Sequence, residues 1–349
     1  MKLAIEIGAM NAENRDLMTQ WVQHADRLGI DLAFSAEAWW SDAFTPLAWL
    51  VDKTERIRLA TGIVQVTART PAMTAMSALT LHDLTDGRFV LGLGASGPQV
   101  VEGLHGVPYK APLTRLREAV EICRMIFAGE KVRYDGKAYQ LPLPESEGKA
   151  IRIAHEPVDI PIYLATLGPN ALKYTGKAAN GWLGTSFSPD HPEAHMDYLR
   201  EGAEDAGRPL ADLNLCVSVR VEIGEDVDAM IDRRRPGVAF NMGGMGSAST
   251  NFYNDAFKRA GYEDDARAIQ QLWLDGKRDE AAARVPDEMI TSFQVLGTAE
   301  MVRERLKRYR EVGVDTIKLG LDGVPLGPER FALLEQIVDL VRDEGEDAA

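Results

Sequence analysis

Between Ile57 and Pro98 the sequence runs IRLATGIVQVTARTPAMTAMSALTLHDLTDGRFVLGLGASGP. An apolar run gives way to a polar loop at Thr67, a helix opens after Pro71, and a second apolar run ends in Gly92-Leu93-Gly94-Ala95-Ser96-Gly97-Pro98. Strand, helix and strand in this order form the unit of a parallel sheet, because parallel neighbours need a crossover long enough to hold a helix. Polar and glycine residues cluster just past the C-terminal ends of both strands, the edge where parallel α/β proteins bind ligands.

The spacing Gly92-x-Gly94-x-x-Gly97 matches the dinucleotide fingerprint. That fingerprint needs glycines that open a long helix directly after the first strand, and a ribose-holding acid about 20 residues on. Here Pro98 and Gly103 follow, and the next long amphipathic run starts only near Pro112. The acids at the right distance, Glu118 and Glu121, fall inside that run, and two strand–helix units precede the glycines. The motif is not a Rossmann turn.

The same alternation continues along the chain. Periodicity and turn residues predict strands at Leu3–Gly8, Asp31–Ala36, Ile57–Val66, Phe89–Gly94, Pro161–Ala165, Gly181–Thr185, Leu213–Val221 and Thr316–Leu319. Helices are predicted at Arg15–Leu28, closed by Gly29, and at Pro46–Lys53, Pro71–Leu84, Leu113–Phe127, Pro169–Lys177, Pro192–Ala206, Ala299–Glu311 and Glu329–Arg342. Eight such units are the count of a (β/α)8 TIM barrel. The excess over the usual ~250 residues lies in two intervals, about 132–158 and 227–295, the first with a hairpin-like YDGKAYQLP. The 349 residues thus read as a single α/β barrel domain with insertions, ending in an acidic, fraying EGEDAA, with a doubly wound open sheet as the alternative.

Composition narrows the function. A formal net charge of −14 argues against a nucleic-acid or anionic-membrane partner while allowing a local basic pocket. No apolar run is long enough to span a bilayer, and MKLAIEIGAM reads as a first strand, not a signal peptide. Cys123 and Cys216 sit among apolar neighbours, as buried thiols in a reducing, cytoplasmic setting would. His191 and His195 lack acidic or cysteine partners at zinc-motif spacing, so no metal is expected. No G-x-S-x-G exists for a hydrolase elbow.

If the barrel closes, four strand ends converge. They carry Glu37, Trp39 and Trp40; then Gly62, Ile63, Gln65 and Thr67; then Gly94, Ala95, Ser96, Gly97 and Gln99; then Thr166, Leu167, Gly168, Pro169 and Asn170. Glycines let a backbone approach a planar ring face, and Pro169 suits the first turn of a helix whose free N–H groups would hold an anion. Plainer readings stand beside these. Trp39 and Trp40 point opposite ways, so one packs inside; Glu37 caps the next helix; Gly92 serves strand–helix packing.

The segments SAEAWWSDAFTPLAWL, IRLATGIVQVTARTP, FVLGLGASGPQVVEGLHGVPY, PIYLATLGPNALKYTG, GWLGTSF and FNMGGMG resemble the bacterial-luciferase-like flavin and deazaflavin oxidoreductases, in their coenzyme F420-dependent branch. The resemblance implies a luciferase-like TIM barrel with a deazaflavin, coenzyme F420, across its mouth and the phosphate at Gly168-Pro169-Asn170. It also implies a non-proline cis peptide at Gly62–Ile63. Family members that oxidise alcohols carry an acid–histidine pair after strand two, where this chain has Glu37-Ala38. Hydride transfer to an activated double bond or carbonyl is therefore expected, with Glu37 as the catalytic or ring-positioning group. Trp39, Met242 and Met245 would line a pocket for a small, apolar substrate. A homodimer is expected. An FMN-dependent monooxygenase is the alternative, and a non-catalytic binding protein on the same barrel a third reading.

Overall fold

The structure, a computed structural model, describes residues 1–37, 39–246 and 251–346; the last residues of the acidic tail, 347–349, lie outside it. Eight parallel strands carry the architecture: β1 Lys2–Ile7, β2 Leu32–Ser35, β3 Arg58–Thr61, β4 Phe89–Gly94, β5 Ile162–Ala165, β6 Gly181–Gly184, β7 Asn214–Ile223 and β8 Thr316–Gly320. Each pairs with its successor, and β8 returns to β1 in a register running from Lys2↔Thr316 to Ile5↔Leu319. The sheet is closed, as the strand count predicts, and the open-sheet alternative is ruled out.

Period-two alternation explains why these segments form a barrel. Ala4, Leu32, Phe34, Ala60, Val90, Tyr163 and Cys216 point inward and fill the interior. The intervening Leu3, Ile5, Ile7, Ala33, Leu59, Leu91, Leu164, Val217 and Ile317 point outward into the main core. Helices cover that outer face, so the strands are buried on both sides and read as nearly continuous apolar runs.

The covering helices of the first half are α1 Arg15–Leu28, α2 Phe44–Leu50, α3 Pro71–Leu84, α4 Pro98–Gly103 and α5 Pro112–Phe127. Those of the second half are α6 Pro169–Ala178, α7 Glu193–Asp205, α8 Val227–Gly243, α9 Phe252–Arg259, α10 Glu263–Leu274, α11 Arg278–Ala283, α12 Asp287–Phe293, α13 Ala299–Glu311 and α14 Pro328–Glu346. Local signals set their ends. Gly29 adopts the left-handed conformation (φ 79°) that closes α1, and Thr70 and Thr298 side chains accept from Met73 and Met301 N–H to open α3 and α13.

Several details differ from the sequence expectation. The third strand breaks after Thr61 and resumes at Val64–Gln65, which pairs with Leu93–Gly94, although the Gly62–Ile63 bond between the two parts is cis, as the resemblance implies. Helix α4 starts directly after Gly97, but it spans only six residues and is no Rossmann helix. Gly92 packs strand on strand, not strand on helix: a Cβ there would stand 1.9 Å from the Thr61 carbonyl oxygen. The Thr61 hydroxyl donates to Gly92 O (2.9 Å) and accepts from Gly92 N (2.8 Å).

Both insertions form secondary structure among their described residues. In the first, Tyr134–Asp135 and Gln140–Leu141 form a hairpin whose turn is held by buried Glu118, which accepts from the N–H groups of Lys137, Ala138 and Tyr139. In the second, α8 to α12 gather Met230, Met242, Phe257, Ile269, Met289 and Phe293 into a core of their own. Its last turn leads into Val295–Gly297, a short strand beside Val221–Ile223 of β7. Among the described residues no helix is long and apolar enough to cross a membrane, and no cluster of His, Cys, Asp and Glu could hold a metal. Cys123 and Cys216 are buried free thiols, each pushed up to about 12 by burial.

Candidate functional site at the barrel mouth

The C-terminal ends of β2 and β3 meet at Glu37. Its N–H donates to the Ile63 carbonyl (2.9 Å), while Gly62 N–H donates to Ser35 O (2.7 Å), so the cis bond is laced to the β2 terminus. The Glu37 side chain is 7% exposed and meets Arg69 Nη2 at 2.9 Å and Nε at 3.2 Å through one oxygen. Its other oxygen accepts from Gln65 N–H (3.1 Å), and its carbonyl accepts from the Gln65 amide (3.0 Å). Helix α2 is capped by Asp42 instead, whose Oδ1 accepts from Phe44 and Thr45 N–H. Both Trp39 (64%) and Trp40 (52%) are exposed and meet edge to face at 5.4 Å, so neither packs inside.

Two atoms at this strand end are buried without a protein partner: Gln65 Oε1 and Thr67 Oγ1. Next to them the Gly94–Gln99 loop follows β4, with Ser96 in the left-handed region (φ 60°) and its carbonyl accepting from Tyr109 Oη (3.1 Å). A Cβ on Gly94 would press on Ile63 at 3.0 Å, so glycine lets the two strand ends close up. Gly97 precedes α4, with Gln99 Oε1 3.5 Å from where its Cβ would lie. Tyr139 Oη donates to Val66 O (3.2 Å), closing the first insertion over the same edge. Thr67, Ala95, Tyr109, Lys110 and Arg115 line the narrow cleft between them.

At the end of β5, Gly168 is the N-cap of α6 and Pro169 its first residue. Gly168 O accepts from Ala171 (3.0 Å) and Leu172 (2.9 Å), which leaves the Asn170 N–H among the free first-turn donors. Leu167 O accepts from Arg259 Nη2 (2.7 Å), whose Nε also donates to Ala194 O (3.0 Å). The α9 cation therefore stands beside the α6 terminus. Phe252 lies over the turn, 3.7 Å from where a Gly168 Cβ would be. Thr166 is tied down by Thr175 Oγ1 (2.8 Å) and by Trp182 Nε1, which donates to its carbonyl (3.0 Å). His195, packed against Trp182 and Phe187, is pulled down to about 3 by burial, with Arg259 adding to the effect.

Sequence reading missed the barrel floor. Lys318 and Glu6 point inward from β8 and β1 and pair at 2.7 Å, with the Lys318 ammonium 5.6 Å from the Phe34 ring centre. The overlooked signal was phase: Glu6 follows Ala4 by two, and Lys318 follows Thr316 by two, so both lie on the interior face. Met242 is wholly buried in the core of the second insertion, and Met245 follows the end of α8, half-buried. The ground for an apolar methionine-lined pocket is thereby reduced to Met245.

These residues could hold a flat ligand with a phosphate. Gln65 Oε1 and Thr67 Oγ1 can meet the N–H and C=O edge of a flavin-type ring, the glycine-bearing strand ends can face its plane, and the α6 terminus can take an anion. The family model described as luciferase-like monooxygenase matches residues 3–316. A coenzyme F420-dependent oxidoreductase of Mycobacterium tuberculosis is 38% identical over 323 residues, 90% of this chain and 93% of that protein. The 5,10-methylenetetrahydromethanopterin reductase of Archaeoglobus fulgidus is 28% identical, over 91% of this chain and 92% of its own length. The fold matches the coenzyme F420-dependent tetrahydromethanopterin reductase from Methanopyrus kandleri with a TM-score of 0.77 over 97% of each chain, at 24% identity. The chain belongs to the luciferase-like monooxygenase family and falls with its coenzyme F420-dependent oxidoreductases.

Proposed function

We propose that this protein is an oxidoreductase that binds coenzyme F420 across the barrel mouth and passes hydride between it and a small organic substrate, in the reductive direction. The observation that carries this reading is the pair of buried, protein-unpartnered atoms on Gln65 and Thr67, set one strand end from the phosphate-competent α6 terminus in a chain 38% identical to an F420-dependent oxidoreductase. When bound, the deazaflavin supplies a hydride and does not usefully activate oxygen.

The chain's own residues orient and enclose. Gly62, Ile63 and Gly94 back the ring, Gln65 and Thr67 hold its polar edge, and Ala95, Ser96, Gly97 and Gln99 close the β4 side. Thr166 and Leu167 lead into Gly168, Pro169 and Asn170, which take the phosphate with the helix dipole. Glu37, held by Arg69 and Gln65, keeps the β2 and β3 ends together and so positions Gln65. Trp39, Trp40 and Met245 stand where they can cover the substrate, and Glu6 with Lys318 on the floor can exchange a proton with it. Titrating the protein with F420 and with FMN while following tryptophan fluorescence tests the reading. F420 should bind at least about tenfold tighter, a difference of ~1.4 kcal/mol. Equal affinity, or protein purified with FMN, would favour the monooxygenase.

We read the chain as one cytoplasmic domain with its two insertions, assembled as a homodimer. The exposed stripe Met73, Met76 and Leu84 along α3 supports the dimer. Met76→Glu should turn the dimer to monomer in sedimentation; an unchanged mass would remove α3 from the interface.

A further inference from the structure

We infer that the rim above β7 and β8 is an anion subsite for a carboxylate or phosphate group of the substrate, an inference that rests on the oxidoreductase reading above. Inward-facing positions on β7 climb from Cys216 through Ser218 to Arg220 and Glu222, and β8 presents Lys318, then the loop with Asp322 and Gly323. Arg220 pairs with Asp322. Arg233 and Arg234, from α8, both pair with Glu222. Arg330, in the first turn of α14, lies within the fields of Asp322 and Glu6, and Asp322 within those of Arg220 and Arg234. The groups are thus one connected set.

Within that set five cations, Arg220, Arg233, Arg234, Lys318 and Arg330, face three carboxylates, Glu6, Glu222 and Asp322. An excess of two positive charges in a chain of net charge −14 is a local feature and not the background. Two of the guanidinium groups are not fully used. Arg234 has a side chain only 11% exposed, and its Nε is buried without a partner. Among the described residues Arg330 pairs with no carboxylate and donates from Nε to Val324 O (2.6 Å).

Arg330 also sits at the positive end of a helix, where a cation is disfavoured unless an anion joins it. The loop leading to that helix carries Gly323 and Gly327, and a Cβ on Gly323 would lie 3.4 Å from Arg234 Nη2. In (β/α)8 barrels the loops after strands seven and eight, with a helix N-terminus, frequently make a phosphate site. The ring-holding strand ends β3 to β5 lie across the mouth from it, with the Glu6–Lys318 pair on the floor. A substrate anchored by its anion at Arg220 and Arg330 would extend its reducible end toward the ring.

Calorimetric titration of inorganic phosphate into protein already saturated with F420 tests this, since the cofactor's own phosphate turn is then filled. One phosphate should bind, and Arg330→Gln and Arg220→Gln should each weaken it about tenfold, the loss of a charge-assisted hydrogen bond. Melting temperature and F420 affinity of both variants should match the parent. Absence of phosphate binding to the parent, or binding by both variants as tight as the parent's, overturns the subsite. A fall in F420 affinity on Arg330→Gln, with no fall for the ribityl chromophore lacking phosphate and glutamates, also overturns it by assigning the arginines to the coenzyme's acidic tail. If F420 fails to bind at all, the oxidoreductase reading falls. The same titration on the free protein then decides the subsite, because only phosphate held at this rim is lost in the two variants.

Discussion

Replacing Glu37 by Gln separates positioning from proton transfer. The carboxylate is 7% exposed and serves two donors at once, Arg69 through one oxygen and Gln65 N–H through the other. A glutamine has one acceptor, so its NH2 must turn toward one of these donors. The cost is about one charge-assisted hydrogen bond, ~1.5–3 kcal/mol. The lower half of that range applies, because Arg69 keeps Asp42 at 3.6 Å. About 2 kcal/mol should lower the melting temperature by roughly 3 °C. F420 affinity should fall about tenfold, ~1.4 kcal/mol, since the Gln65 N–H loses its carboxylate acceptor and the Gln65 amide is left held by the Glu37 carbonyl alone. A double-mutant cycle with Arg69→Gln, read by denaturant unfolding and by F420 fluorescence titration, should return a coupling of about 1–2 kcal/mol. Additive effects within ~0.5 kcal/mol and unchanged F420 affinity would refute the reasoning. Once a substrate is in hand, a turnover loss of ~10²-fold at saturating F420 would instead assign Glu37 the acid–base role.

Gly168→Asp should weaken F420 binding about tenfold or more, because it sets a negative charge at the α6 terminus; undiminished affinity would move the phosphate elsewhere. Gly92→Ala should destabilise the barrel by roughly 3 kcal/mol or prevent folding, since its Cβ would meet Thr61 O at 1.9 Å; a variant melting with the parent would contradict the packing. His195 is kept neutral in the fold down to about 3 but takes a proton near 6.5 when unfolded, so the unfolded state binds the extra proton as pH falls. Its stabilising effect is intact above pH 6.5 and lost below it, by roughly 2–3 kcal/mol at about pH 4.5 on 1.36 kcal/mol per unit. His195→Phe should therefore flatten that part of the stability profile measured by urea unfolding, and an unchanged slope would show the ring to be solvated.

How much of this could be read beforehand depends on the range of the interaction. Helices α1, α3 and α13 stand where their caps and periodicity place them, because Gly29, Thr70 and Thr298 act within a turn of the element they close. The eight strands were legible for a similar reason: each alternates against its own neighbours. Helix α4 was not, because Pro98-Gln99-Val100-Val101-Glu102-Gly103 is too short to show a helical period. The partner of Glu37 was also hidden. Arg69 is 32 positions away, and only the joining of β2 to β3 brings its guanidinium to the carboxylate. Glu37 is buried at 7% exposure, yet the tryptophans next to it in sequence are exposed, and the group it meets is the Arg69 cation.

The rim above β7 and β8 shows the same limit at larger scale. Arg220, Arg234, Lys318 and Arg330 are spread over about a hundred positions, and each alone is an ordinary solvated charge. Phase along a strand can place Lys318 and Arg220 on the inward face, but it cannot say that the two strands are neighbours. Strand pairing supplies that fact: Ser218↔Lys318 and Arg220↔Gly320 are partners because β7 pairs with β8, and closure then sets Lys318 beside β1. A charge on the inward phase near the C-terminal end of a barrel strand has nowhere to point but the mouth. Where burial desolvates it, as it does Lys318 at 14% exposure, it must be matched by another charge of the fold or by one on a ligand. Glu6 answers Lys318, Asp322 answers Arg220 and Glu222 is shared by Arg233 and Arg234, so the two positive charges left over, one at that pair and one at Arg330, are what an anionic substrate would complete.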